Sequence, residues 1–278
     1  MDSTCDLTLD GEAGTAGRFG RIVVAGDINN DKYDDVFVTA PVSATHPWKG
    51  RVYLYYGGHA MDNSYDRVFE GENDLDAFGR EVAIGGDVDG DGYRDILIGA
   101  DRVNRRGRAY LFYGNDKANM NTACDLVFAC PESGTNDFAY VELSDVDDDG
   151  HADVLVGSRI ADSHRGRVYL YWGDERANMD VVADRIFTGE DDGRPNLGGN
   201  AVHCGFFNND HYKDIAVAGY AWYCSNQMGR VYIYNGNTKA VMDESPDKIL
   251  TGTLWSRFGA YFNIGDLNND NYDTEIYI

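Results

Sequence analysis

Five stretches of the chain open on a polar residue and then run almost wholly apolar: DVFVTAP from Asp35, DILIGAD from Asp95, DVLVGSR from Asp153, DIAVAGY from Asp214 and TEIYI from Thr274. Runs this short, rich in β-branched residues and bounded by turn residues, predict strands covered on both faces. Downstream of the first four lie GRVYLYYGG from Gly50, GRAYLFYGN from Gly107, GRVYLYWGD from Gly166 and GRVYIYNGN from Gly229. Their aromatic and β-branched content again predicts strands. Upstream of each apolar run is a segment that starts at or near Phe-Gly: RFGRIVVAGD at Arg18, AFGREVAIGGD at Ala77, DFAYVELSD at Asp137, NLGGNAVHCGF at Asn196 and RFGAYFNIGD at Arg257. A brief charged segment closes a unit, as in DRVFEG from Asp66 and DRIFTG from Asp184, and suits an exposed edge strand. No segment carries a convincing helical period.

The same four-strand unit therefore recurs with a period of about 60 residues. We place the repeats at approximately 6–65, 66–124, 125–183, 184–246 and a partial 247–278, within a single domain. Strands that grade from buried to exposed, repeated at this spacing, describe blades around an axis, so the predicted fold is an all-β propeller of four-stranded blades. The chain stops at Ile278 inside the second strand of its fifth unit. Met61, Met120, Met179 and Met242 each stand five residues before an Asp that opens the fourth strand, and Met1 keeps the same distance from Asp6. Both ends thus fall inside the repeat, and we expect an incomplete arc of about four and a half blades cut from a longer propeller.

Between the first and second strand of each unit lies an acidic loop. Residues 87–95 read DVDGDGYRD, with carboxylates at loop positions 1, 3, 5 and 9. This is the first half of a calcium-loop pattern, but Ile98 occupies the twelfth position, where a helix–loop–helix calcium site has its Glu. Alternate side chains of a tight turn can converge on one hard cation, with position 7 supplying a backbone carbonyl. Three loops have the full set: Asp27, Asn29, Asp31, Tyr33, Asp35; Asp87, Asp89, Asp91, Tyr93, Asp95; and Asp145, Asp147, Asp149, His151, Asp153. The fourth has Phe206 at position 1, leaving Asn208, Asp210 and Asp214, and the fifth has Asp266, Asn268 and Asp270 but Thr274 at position 9. We expect weak or no binding at these two. Turn chemistry favours Asp, Asn and Gly, yet it does not demand four mutually repelling carboxylates within nine residues at a fixed period. Calcium is favoured over magnesium, which keeps its waters and needs stricter geometry.

The Phe-Gly starts, the acidic loops and the YLYYG-type strands in register resemble FG-GAP repeats, the blades of the integrin α-chain head and of the glycosylphosphatidylinositol-specific phospholipase D propeller. The Gly-Ala-Pro element is degraded, Thr39-Ala40-Pro41 coming closest. The resemblance implies calcium loops between first and second strands, and ligand contacts on the opposite rim. It implies a location outside the cell or on its surface, a protein or glycan ligand, and a partner subunit if the chain is integrin-like. It leaves open two other readings: the non-catalytic part of a larger secreted enzyme, such as a phospholipase or a polysaccharide-active enzyme, and a secreted lectin.

Composition narrows the partners. There are 24 Lys and Arg against 47 Asp and Glu, a formal net charge of -23, which repels nucleic acid and anionic membranes. No apolar run approaches the roughly 18 residues of a membrane helix, and the start, MDSTCDLTLD, has neither the basic nor the apolar region of a signal peptide. Cys124 and Cys130 bracket a strand whose ends lie roughly 20 Å apart, beyond disulfide reach; Cys204 with Cys224, or free thiols throughout, remain. No GxSxG, HExxH or phosphate-cradling Gly-rich loop is present, and the six histidines, at 46, 59, 151, 164, 203 and 211, share no repeat position. We therefore expect no catalysis. Tyr53, Tyr55, Tyr56, Tyr169, Tyr171 and Trp172 could stack on sugars, but filling the space between blades suits them better. Recognition is expected on variable loops, with Trp48, Arg105, Arg106, His164, Arg165, Trp222 and Tyr223 as exposed candidates.

Overall fold

A computed structural model describes residues 5–11, 18–41, 49–73, 76–101, 106–132, 137–191, 196–219, 229–253, 258–259, 262–265 and 275–277. The fifth acidic loop, Trp48, Arg105, Trp222, Tyr223 and Cys224 lie outside these residues. Four antiparallel four-stranded sheets and one two-stranded sheet follow one another along the chain. The first holds β1 (Val23–Gly26), β2 (Asp35–Ala40), β3 (Arg51–Tyr55) and β4 (Arg67–Glu70). The second holds β5 (Phe78–Ile84), β6 (Ile96–Ala100), β7 (Arg108–Phe112) and β8 (Leu126–Ala129). The third holds β9 (Tyr140–Ser144), β10 (Asp153–Ser158), β11 (Arg167–Tyr171) and β12 (Arg185–Thr188), with a short turn, α1 (Ala161–His164), whose backbone is left-handed at Asp162, Ser163 and His164, between β10 and β11. The fourth holds β13 (Leu197–Gly205), β14 (Asp214–Gly219), β15 (Arg230–Tyr234) and β16 (Lys248–Thr251). The last pairs β17 (Asn263–Gly265) with β18 (Glu275–Tyr277). The architecture is an incomplete β-propeller of about four and a half blades. The strand that opens each sequence repeat, such as β4 or β8, completes the sheet of the repeat before it.

The apolar runs form the second strands, and every residue of β6, β10 and β14 is buried. The outermost described strand of the fourth blade, β16, is mostly exposed. The larger core clusters sit between blades: Phe37, Phe69, Phe78 and Phe112 join the first two blades, and Leu111, Phe128, Tyr169 and Tyr171 the next two. One aromatic step repeats. The strand-four Phe of a blade meets the strand-three ring of the next, as in Phe69–Phe112 at 4.9 Å, Phe128–Tyr171 at 4.6 Å and Phe187–Tyr234 at 4.6 Å. Tyr56, Tyr169 and Tyr171 are buried in these seams, and Tyr53 and Tyr55 are buried in a cluster of the first blade with Val38 and Phe19, so packing is their role. Cys124, Cys130 and Cys204 carry free thiols.

The blades are also stitched by ion pairs that the sequence reading missed. Arg108 meets Glu72 at 2.8 Å and Arg167 meets Glu132 at 2.5 Å, and Arg230 pairs with Glu190. In each case the Arg of a GR(V/A)Y segment reaches a Glu just after the fourth strand of the preceding blade. The Gly before that Arg is required by close approach: a Cβ on Gly107, which has φ +68°, would lie 2.5 Å from the Phe138 backbone nitrogen of the next blade. This contact explains why the Phe-Gly starts and the Gly-Arg starts recur together.

The Gly that ends each YLYYG-type strand has a second constraint. A Cβ on Gly114 would lie 2.2 Å from the Arg94 carbonyl oxygen and 2.9 Å from Tyr93 Cβ. Gly114→Ala should therefore destabilise the protein by about 1–3 kcal/mol through overpacking, read as a lower midpoint in urea; an unchanged midpoint would refute the close approach.

Candidate metal centre

The acidic loops join first to second strands, and one aspartate organises each of the four described. Asp35, Asp95, Asp153 and Asp214, at loop position 9, are fully buried. Asp95 Oδ2 accepts the Val88 N–H at 2.6 Å, and its Oδ1 accepts the Gly114 N–H at 2.7 Å. Asp35 does the same with Ile28 and Gly57, Asp153 with Val146 and Gly173, and Asp214 with Phe207 and Gly236. The position-9 carboxylate thus ties its loop to the end of the third strand as well as to the second. An ionised carboxylate offers about four lone-pair sites, so each oxygen keeps room for another partner.

Position 1 shapes the turn. Asp87 accepts the N–H groups of Asp91 at 3.1 Å and Gly92 at 2.8 Å, and Asp27 and Asp145 hold the matching amides of their loops. Position 5 then accepts the position-7 N–H: Asp31 from Tyr33, Asp91 from Tyr93, Asp149 from His151 and Asp210 from Tyr212. The loops depend on left-handed backbone at Asn30, Gly90 and Asp148, a conformation in which Gly, Asn and Asp are tolerated.

Among the described residues the structure brings together part of the predicted oxygen set in two of the three loops, without Asp91, Asp153 or the first loop. One oxygen each from Asp87, Asp89 and Asp95 lie within 4.8 Å of one another, and so do those of Asp145, Asp147 and Asp149. In the first loop position 3 is Asn29, whose Nδ2 donates to Asp35 Oδ2 at 2.8 Å, directing its Oδ1 elsewhere. Asn29 Oδ1 and Asp147 Oδ1 are buried with no hydrogen-bond donor. Orphaned acceptors in a native interior call for an explanation, and a hard cation is one that oxygen sets of this kind satisfy. The residues present therefore fit calcium. In the fourth loop Phe206 cannot coordinate, yet Asp214 keeps both backbone partners; these contacts do not depend on a carboxylate at position 1.

Burial sets the electrostatics. It pushes the Asp35 carboxyl up to about 6 and those of Asp95 and Asp153 up to about 8, the backbone N–H bonds offsetting only part of the effect. Burial likewise raises Asp147 to about 6. Asp31 is instead lowered, chiefly by its hydrogen bond from Lys117.

That lysine belongs to a set for which the sequence held a signal. Lys117, Arg176 and Lys239 all stand three residues before a repeat methionine. Lys117 Nζ lies 2.7 Å from Asp31 Oδ2, Arg176 bonds Asp89 and Asp91, and Lys239 Nζ lies 2.6 Å from Asp149 Oδ2. The Asp five residues after each methionine is explained too: Asp66, Asp125, Asp184 and Asp247 each cap the N–H that follows the third strand, at Tyr56, Tyr113, Trp172 and Asn235. Of the rim candidates, Arg106 is exposed, but His164 and Arg165 are half-buried. Arg165 is occupied, donating to the Gly189 carbonyl at 2.9 Å and to Asp162 at 3.2 Å.

The FG-GAP repeat model matches residues 19–55 and 78–112, the segments that hold the first two acidic loops, so these blades are similar to FG-GAP repeats. Among curated proteins the chain is similar to mouse phosphatidylinositol-glycan-specific phospholipase D, 27% identical over 197 residues, covering 63% of this chain and 23% of the relative. It is similar to integrin alpha-5 of Xenopus laevis, 30% identical over 172 residues, covering 56% of this chain and 16% of the relative. Mouse integrin alpha-8 is 30% identical over 181 residues, covering 61% and 16% respectively. The chain thus spans less than a quarter of the length of these relatives.

The raised carboxyls give a pH dependence with a definite sign. Their folded-state values lie above the ordinary value near 4, so the folded state binds more protons and stability falls as pH rises. In chelator the melting temperature should drop between pH about 5 and about 8, with a smaller drop in Asp95→Asn. A melting temperature that is flat or rises over this range would contradict the burial argument.

Proposed function

We propose that this chain is a calcium-stabilised propeller that displays a ligand-binding rim outside the cell. The observation that carries the reading is the repeated oxygen set with buried, donor-free acceptors at Asn29 and Asp147. The ligands would be Asp27, Asn29, Asp31 and Asp35 in the first loop, Asp87, Asp89, Asp91 and Asp95 in the second, and Asp145, Asp147, Asp149 and Asp153 in the third. Tyr33, Tyr93 and His151 would add backbone carbonyls. Calcium supplies a positive centre that draws these oxygens together; the chain's own contribution is to preorganise them through the position-1 and position-9 hydrogen bonds. The role is structural, and no chemistry is assigned to the loops. Weak sites of this kind stay filled at millimolar calcium, which favours a location outside the cell.

Similarity to integrin alpha chains supports adhesion, to a protein or glycan ligand and with a partner subunit. Similarity to phosphatidylinositol-glycan-specific phospholipase D supports a second reading, the non-catalytic part of a larger secreted enzyme. No helix among the described residues is long and apolar enough to cross a membrane.

The test is calorimetric titration with calcium alongside thermal melting. About three sites are expected. At a dissociation constant of roughly 10⁻⁴ M, millimolar calcium would add about 1.4 kcal/mol per site. A melting temperature that chelator leaves unchanged would sink the structural role. Binding to immobilised matrix proteins or to a glycan array, with and without chelator, then separates the ligand classes; capture of neither would leave the enzyme-part reading in front.

A further inference from the structure

Each of the three complete loops is entered by a cation from the blade that follows it, and the arrangement is a built one. The cation lies against the aromatic ring that ends the third strand of the earlier blade. Lys117 Nζ is 5.0 Å from the Tyr56 ring, the Arg176 guanidinium 4.4 Å from Tyr113 and Lys239 Nζ 5.7 Å from Trp172. The lysines also donate to the carbonyls of Gly57 at 3.2 Å and Gly173 at 3.3 Å. Strand-four arginines hold the turns that carry the lysines: Arg67 donates to the Lys117 and Met120 carbonyls, and Arg185 to those of Lys239 and Met242.

We propose that Lys117, Arg176 and Lys239 are tethered counter-ions. They occupy the loops when calcium is absent, hold neighbouring blades together in that state, and set each loop's affinity by how many carboxylates they must release. The inference rests on the calcium reading of the loops.

The three loops are not equally blocked. Each lysine is a compact charge on one position-5 carboxylate, Asp31 or Asp149. Position 3 of those loops, Asn29 or Asp147, keeps an oxygen without a donor. Arg176 spreads its planar fork over two carboxylates of the second loop, Asp89 at position 3 and Asp91 at position 5. A guanidinium cannot lose its charge in a protein and is suited to just such paired recognition. A cation that needs six to eight oxygens must displace both contacts. By sequence the second loop has a full carboxylate set, as the third does, yet it should be the weakest calcium site of the three.

The experiment is calcium titration of the full chain by calorimetry, comparing wild type, Arg176→Gln and Arg176→Lys, each also with Asp87→Asn to identify the second loop. In the wild type, Asp87→Asn should remove the weakest site. Arg176→Gln should tighten that site about tenfold, the equivalent of two exposed ion pairs, with Arg176→Lys in between. The same variant should melt lower than wild type in chelator and close to wild type at saturating calcium. Binding at the loops with second-loop affinity unchanged or weakened in Arg176→Gln overturns this proposal and leaves the calcium reading standing. Absence of binding at every loop in the wild type overturns both. Should Arg176→Gln fail to fold, Lys117→Gln and Lys239→Gln pose the same question at the first and third loops, where tightening is expected and its absence refutes the idea.

Discussion

The fully buried position-9 aspartate is the contact on which each blade depends. Asp35, Asp95, Asp153 and Asp214 accept one N–H from the second residue of the loop and one from the Gly that ends the third strand. Both donors belong to tight turns, where no ladder partner is at hand. A buried backbone N–H without a partner is costly, and one carboxylate satisfies two. The same contact fixes where the loop sits over the third strand, and so where positions 1, 3 and 5 point. Gly57, Gly114, Gly173 and Gly236 follow from it, because the loop backbone comes too close for a side chain.

Burying that carboxylate carries its own cost, visible in the raised Asp95 and Asp153 values. An uncompensated buried charge is among the more destabilising features a fold can hold. Bringing a divalent cation, or the neighbouring blade's ammonium or guanidinium, to the mouth of the loop offsets the charge. The fourth loop shows that the architecture tolerates fewer charges: it lacks the first carboxylate, so Asp214 faces less repulsion. The backbone contacts of position 9 therefore persist in a loop whose first carboxylate is replaced by Phe206.

Much of this was legible in the sequence because it is periodic. Second strands such as DILIGA, the loops and the aromatic third strands repeat with a period of about 60 residues, and a unit seen four times predicts its own strands. What escaped was contact between units. The Glu72–Arg108, Glu132–Arg167 and Glu190–Arg230 pairs join residues more than 30 positions apart, and nothing local marks a Glu after the fourth strand as the partner of an Arg in the next unit. The loop cations escaped for the same reason, although Lys117, Arg176 and Lys239 hold one repeat position. The variable rim was the least legible part. His164 and Arg165 read as exposed, but the turn α1 folds Arg165 onto Asp162 and Gly189.

The two sides of a blade thus follow different rules. On one, Gly-Arg starts, Phe-Gly starts and glutamates interlock without any ion, through salt bridges and close backbone contact. On the other, acidic loops gather charge that packing alone cannot neutralise, and the first three each draw on a cation from the following blade. A propeller built this way keeps its blades in register through the first side and leaves the second responsive to its ionic surroundings. If the loops bind calcium as proposed, stability of the arc would follow calcium concentration without any change of fold, because the loops are held in shape by the backbone bonds of a buried carboxylate.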